Sequence, residues 1–94
     1  RYPGFFRLPE YDQILARWHA DEGARLGAAG ELEQARAHLE KSVRYGPQVA
    51  SSWSMLGGAL HGLGRIAQAR EAWQKAIQLD PADQQSRSGL EATK

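Results

Sequence analysis

GAAGELEQARAHLEKSVRYGP, residues 27–47, slides forward by 34 positions onto HGLGRIAQAREAWQKAIQLDP, residues 61–81. Gly30 meets Gly64, Leu32 meets Ile66, and Gln34-Ala35-Arg36 meets Gln68-Ala69-Arg70. Leu39 falls on Trp73, Lys41 on Lys75, Val43 on Ile77 and Pro47 on Pro81; upstream, Gly23 falls on Gly57 and Leu26 on Leu60. The register holds over a whole unit without a gap. A period of about 20–50 residues marks a stacked array in which no single unit buries its apolar face alone.

Each unit reads as two helices. Trp53, Leu56, Leu60 and Leu63 recur at three- and four-residue spacing, the stripe of an amphipathic helix. After a break at Gly64-Arg65, a second stripe of Ile66, Ala69, Trp73, Ala76 and Ile77 runs to the helix stop Asp80-Pro81. Arg36/Glu40 and Glu71/Lys75 are opposite charges one turn apart on outward faces, each adding a few tenths of a kcal/mol. A repeated helical hairpin predicts an all-α fold. Its oddity is SWSMLGGALHGLG, residues 52–64, where Gly57, Gly58, Gly62 and Gly64 lie in or beside a helix. Each interior glycine costs a helix about 1 kcal/mol relative to alanine, so each asks for a reason.

Residues 50–83 resemble a tetratricopeptide repeat. Trp53, Leu56, Gly57, Leu60, Ala69, Trp73, Ala76 and Pro81 meet the family's pattern of Trp, Leu, Gly, aromatic or Leu, Ala, aromatic, Ala and Pro. Residues 16–49 fit it through Gly23, Leu26, Ala35, Leu39 and Pro47. They depart from it at His19 in place of Trp, Glu22 in place of Leu and Ser42 in place of the last Ala, with Trp18 placed to supply the missing bulk. The resemblance implies a short right-handed α-solenoid of helix-turn-helix repeats.

The chain accordingly divides into residues 1–15, an arm and the start of a long first helix, then repeats at 16–49 and 50–83, and a C-terminal solvating helix at 84–94. Tyr11, Ile14, Leu15 and Trp18 carry the first helix back to Pro9-Glu10, with proline at an early helical position. Asp83 is a good N-cap for QQSRSGLEATK, whose one large apolar residue is Leu90. Tyr2, Phe5, Phe6 and Leu8 are held out of the helix by Pro3-Gly4 and Pro9. They are expected to cover the open N-terminal end of the stack, or to fill a groove of their own or of a second copy.

At 94 residues, 41% hydrophobic and 24% charged, this is one ordinary globular domain with a thin stability margin. A net charge of +1 offers no basic stripe for nucleic acid. The absence of cysteine excludes disulfides, thiolate metal sites and thiol nucleophiles, and fits cytoplasm or periplasm alike. No apolar run approaches the ~18 residues of a membrane span, and the non-Met start reads as a processed protein or a domain cut from a longer chain.

Catalytic chemistry finds no constellation. The serines lack a nucleophile elbow and a positioned base, and GLGR at 62–65 lacks the Lys and Ser/Thr of a phosphate loop. His19 and Glu22 share a helical face, but a metal needs a third converging ligand. His19 therefore reads as a partly exposed interface histidine, and His38 as a solvated one. No cofactor, metal or enzymatic activity is expected, and at least two of the three tryptophans belong to the core.

In the family, the first helix of each repeat lines a concave groove that holds a peptide or a partner's helix. Carried over, that floor is Arg17, Ala20, Asp21, Ala24, Gly27 and Ala28 from the first repeat, then Ser51, Ser54, Met55, Gly58, His61 and Gly62 from the second. It is small and neutral, with Met55 as an adaptable contact. The Lys/Asn/Arg clamp that some members use for a chaperone's C-terminal carboxylate would fall on Ala20, Ala24 and Met55, which rejects that subtype. The expected partner is a protein or peptide. The alternatives are self-association as a homodimer or scaffold, and service as the appendage of a larger enzyme or membrane-assembly protein.

Overall fold

The computed structural model describes residues 9–94, and the aromatic arm of Tyr2, Phe5, Phe6 and Leu8 lies outside them. Five helices follow one another: α1 (Pro9–Ala28), α2 (Leu32–Tyr45), α3 (Ala50–Gly62), α4 (Ile66–Leu79) and α5 (Gln84–Ala92). There is no strand among the described residues, and the architecture is an all-α helical repeat solenoid. No described helix is long and apolar enough to cross a membrane.

Two identical turns make the hairpins. Gly30 has φ 84° and Gly64 φ 80°, the left-handed region that only glycine enters without strain. After each, a backbone N–H reaches back over the turn: Glu31 to Leu26 O at 2.9 Å, and Arg65 to Leu60 O at 2.9 Å. Nothing lies within 4 Å of a Cβ at either site, so conformation and not crowding selects glycine there. Each turn folds a stripe of apolar residues against its neighbour, and Leu26, Leu39, Leu56, Leu60 and Trp73 share one buried cluster with small alanines between them.

Glycine also decides how closely the paired helices approach. A Cβ at Gly57 would run into the Trp73 indole, and one at Gly23 would stand 2.5 Å from Leu39 Cγ. Trp73 is 4% exposed and donates its indole N–H to Ser54 O at 3.2 Å. Its far face lies against Gly89 of α5, where a Cβ would come within 2.6 Å of the ring.

Beside this shared apolar cluster, the contact between the hairpins has a polar, fully buried part. Ser42 donates to Ala16 O at 2.8 Å, which spends its single hydroxyl proton. The 2.9 Å contact between the Ser42 and Ser52 hydroxyls is therefore donated by Ser52. Trp53 ties the same junction from outside, its indole N–H bonding Pro47 O at 2.9 Å. Arg36 bridges Glu33 and Glu40 on the α2 surface, and Glu33 also holds Arg65 at 3.2 Å.

Several sequence expectations are corrected here. His19 is buried and His38 half-buried, because their Nδ1 atoms meet at 3.0 Å in the slot that Trp53 and Ala72 fill in the second hairpin. Trp18 does not enter that slot; it remains 52% exposed and lies edge-on to both imidazoles. Asp83 stands at the N-cap of α5, yet its carboxylate accepts from the Ser86 hydroxyl at 3.0 Å and from no backbone N–H. Half-buried Arg70 fastens the other end of α5 by donating to Leu90 O and Thr93 Oγ1.

Candidate functional site

α1 and α3 border a common seam, closed at one end by the link 45–49. The larger of two depressions along it, about 700 Å³, is walled by Arg17, Ala20 and Asp21 of α1, by Ser51 and Met55 of α3, and by that link. The smaller, about 310 Å³, is lined by Ala24, Gly27 and Ala28 of α1 and by Met55 and Gly58 of α3. Met55 borders both, so the two adjoin along the α1–α3 groove.

Nine of the twelve residues singled out for the floor therefore come together: the six of α1, with Ser51, Met55 and Gly58. Ser54, His61 and Gly62 do not. Successive helical residues turn by about 100°, so Ser51 and Gly58 fall nearly in line while Ser54 and His61 lie about 60–80° to one side. That rotation aims them at α4. Ser54 is 3% exposed beneath the Trp73 indole, and the His61 ring lies 5.7 Å from the Trp73 ring. Gly62 keeps the angular position of Ser51 and Met55, but at the end of α3 it meets α2, where a Cβ would stand 2.7 Å from Leu32 Cδ1, so packing between hairpins accounts for it.

Gly58 is different. The nearest atom to a Cβ there is Gln85 Nε2 of α5, at an ordinary 3.5 Å. The protein's own packing does not require glycine at this point of the groove, and its backbone is open to close approach.

The family register did not single out Asp12, Gln13 and Ala16 at one rim or the link 45–49 at the end wall. The available signal was Pro47, which ends one hairpin and returns the chain to the start of α3. Among the lining residues of both depressions the charged side chains are Asp12, Arg17 and Asp21, with no lysine. Arg17 is thus the sole cation among the described residues of the groove lining. Behind the wall, Tyr45 stacks on His19 with centroids 5.8 Å apart and rings 7° from parallel. Glu22 is held below the usual carboxylate range mainly by its hydrogen bond from Arg25 at 2.7 Å. No group of three or more His, Asp or Glu side chains suited to a metal occurs among the described residues.

A tetratricopeptide-repeat family model matches residues 20–84. The TPR repeat-containing protein PA0015 of Pseudomonas aeruginosa is 37% identical over 49 residues, covering 52% of this chain and 47% of that protein. The Hsp70-Hsp90 organizing protein of Triticum aestivum is 35% identical over 72 residues, 77% of this chain but 12% of its own length. The crystal structure of the Sgt2 TPR domain from Aspergillus fumigatus superposes with a TM-score of 0.79 at 26% identity, covering 83% of this chain and 53% of that one. The chain thus spans about half or less of the length of the curated relatives it matches.

Proposed function

The chain belongs to the tetratricopeptide repeat family, and from that premise we propose that it is a non-catalytic interaction module holding a segment of a protein partner in the α1–α3 groove. The observation that carries this reading is Gly58: a bare backbone in the groove floor that no neighbouring side chain demands. A partner's helix or extended segment packing on Ala20, Ala24, Met55 and Gly58 would make use of that closeness. The wheat relative, named for organising two other proteins, supports the same class of role. Capture of a C-terminal carboxylate by a Lys/Asn/Arg clamp is not part of the proposal, because the described residues of the groove lining offer one cation, Arg17, and no lysine.

The test is a selection of peptides from a random displayed library, followed by NMR mapping on the full chain. Shifts centred on Ala20, Asp21, Ala24, Met55 and Gly58, and their loss in a folded Gly58→Leu variant, are the expected result. Shifts confined to the outer face would overturn it. Self-association, the second reading, predicts a concentration-dependent dimer in light scattering with those same groove signals broadened.

A further inference from the structure

The contact that distinguishes the first hairpin from the second is a pair of histidines. His19 Nδ1 and His38 Nδ1 stand 3.0 Å apart, with ring centroids separated by 5.2 Å and planes 33° apart. For that nitrogen spacing, so wide a centroid separation places the two Nδ1 atoms nearly head-on. This is the geometry of an N–H···N hydrogen bond; two ligands of one metal ion would converge at an angle. Such a bond requires one Nδ1 protonated and the other bare.

That requirement counts protons. With both rings neutral, one donates Nδ1–H and the other accepts. A first added proton can settle on the donor's Nε2 and leave the bond in place. The second must occupy the accepting Nδ1, which removes the acceptor and sets two cations face to face. The surroundings divide on this step. From α2, Lys41 opposes positive charge at His19, and Tyr45 stacks on His19 without supplying a counter-charge. From α1, Glu22 lies close enough to His38 to be stabilised by its charge, although its hydrogen bond goes to Arg25. Trp18 packs in a T-shaped arrangement against both rings. Burial, then His38, then Lys41 hold the His19 imidazole below its ordinary value.

We propose that this pair makes closure of the first hairpin pH-dependent, and that Tyr45, stacked on His19 and walling the larger depression, carries the change into the groove. The groove consequence rests on the function proposed above; the closure does not. In the unfolded chain the His19 imidazole titrates at about 6.5. In the folded chain His19 accepts its proton at lower pH, so below that value the unfolded state binds more protons. Stability is full above the ordinary imidazole range and is lost as pH falls through it. The second hairpin has Trp53 and Ala72 at the same positions and carries no such dependence.

The test transplants one hairpin's pair into the other. Melting temperatures of the wild type and of a His19→Trp/His38→Ala double variant are measured from about pH 7.5 to about pH 5, bracketing the ordinary imidazole value. The wild type is expected to lose markedly more of its melting temperature on acidification than the variant does. His61 and the carboxylates away from the pair cancel, and Glu22, held below the usual carboxylate range mainly by Arg25 in both proteins, stays charged over this span. Equal losses in the two proteins would overturn the proposal. Where the double variant does not fold, imidazole NMR on the wild type decides, with His61 as internal reference. His19 and His38 titrating as a coupled pair in two steps is the expected outcome; two independent single steps would overturn it. Tyr45 ring signals should move with the second step. Tyr45 signals unmoved through both steps would overturn the link to the groove, and because no peptide enters the measurement, failure of peptide binding is a separate result.

Discussion

The two hairpins share a backbone plan and distribute side-chain volume over it in opposite ways. In α3–α4 the bulk is concentrated: Trp53 packs against the core cluster that includes Ala72, and Trp73 fills the space that Gly57 leaves open. In α1–α2 it is shared out, with His19 against His38 and Leu39 against Gly23. At the outer end of each pair, the second hairpin has Ala76 where the first has Ser42. Ser42 accordingly binds its neighbours by hydrogen bonds, whereas Ser86, the counterpart of Ser52, faces no such partner and turns to Asp83. One hairpin is held by rigid rings in small-residue slots, the other by leucine packing together with a histidine pair and the Ser42–Ala16 bond. The close family match in the second unit and the departures in the first are the same physical difference seen in sequence.

That comparison breaks most severely at Trp73. Truncation to alanine removes contacts with α3 and α5 together and should cost about 3–5 kcal/mol, against about 2–4 kcal/mol for Leu39→Ala. Urea unfolding followed by circular dichroism measures both. For a domain of this size the larger loss approaches the whole stability. Next come the glycines. Gly57→Ala meets the edge of a rigid indole and should cost about 2–3 kcal/mol; Gly23→Ala meets a leucine with rotamers to spare and should cost about 1–2 kcal/mol. Equal costs would show that slot rigidity is not what separates the hairpins.

A smaller effect is expected at the seam. Ser42→Ala leaves the buried Ser52 hydroxyl without its acceptor and should cost about 1–2 kcal/mol. In a double-mutant cycle with Ser52→Ala the two losses should be less than additive; strict additivity would mean that the hydroxyl pair contributes nothing. Smallest, and opposite in sign, is Gly58→Ala. Nothing crowds that Cβ, so helix propensity alone acts and thermal melting should show a gain of about 0.5–1 kcal/mol. Two adjacent glycines would then respond in opposite directions, which separates a packing glycine from one free to serve a ligand.

The repeat spacing alone made the helices, the two glycine turns and the core alternation legible. Gly57 and Gly64 were readable individually, one as a close approach and one as a turn. Of the groove floor, the α1 residues and Ser51, Met55 and Gly58 followed from the family register. Ser54 and His61 escaped it because they lie at the edge of that face, where α4 claims them; Gly62 lies in line with Ser51 and Met55, but at the last position of α3 Leu32 of α2 covers it. The histidine pair was illegible for another reason. Positions 19 and 38 lie on different helices, and each reads as unremarkable until the hairpin closes. Only the pairing of Trp53 with Ala72 at the same register hinted that His19 would have a facing partner.

The α5 contact has an optical consequence. Gly89 lets the α5 backbone lie directly on one face of the Trp73 ring, and the other end of α5 hangs on Arg70. If α5 peels away, that face meets water while the Ser42–Ser52 seam stays shut. Trp73 emission would then shift red at denaturant concentrations too low to open the seam. The most buried tryptophan of the chain would report the loosening of its last helix, ahead of the collapse of the whole.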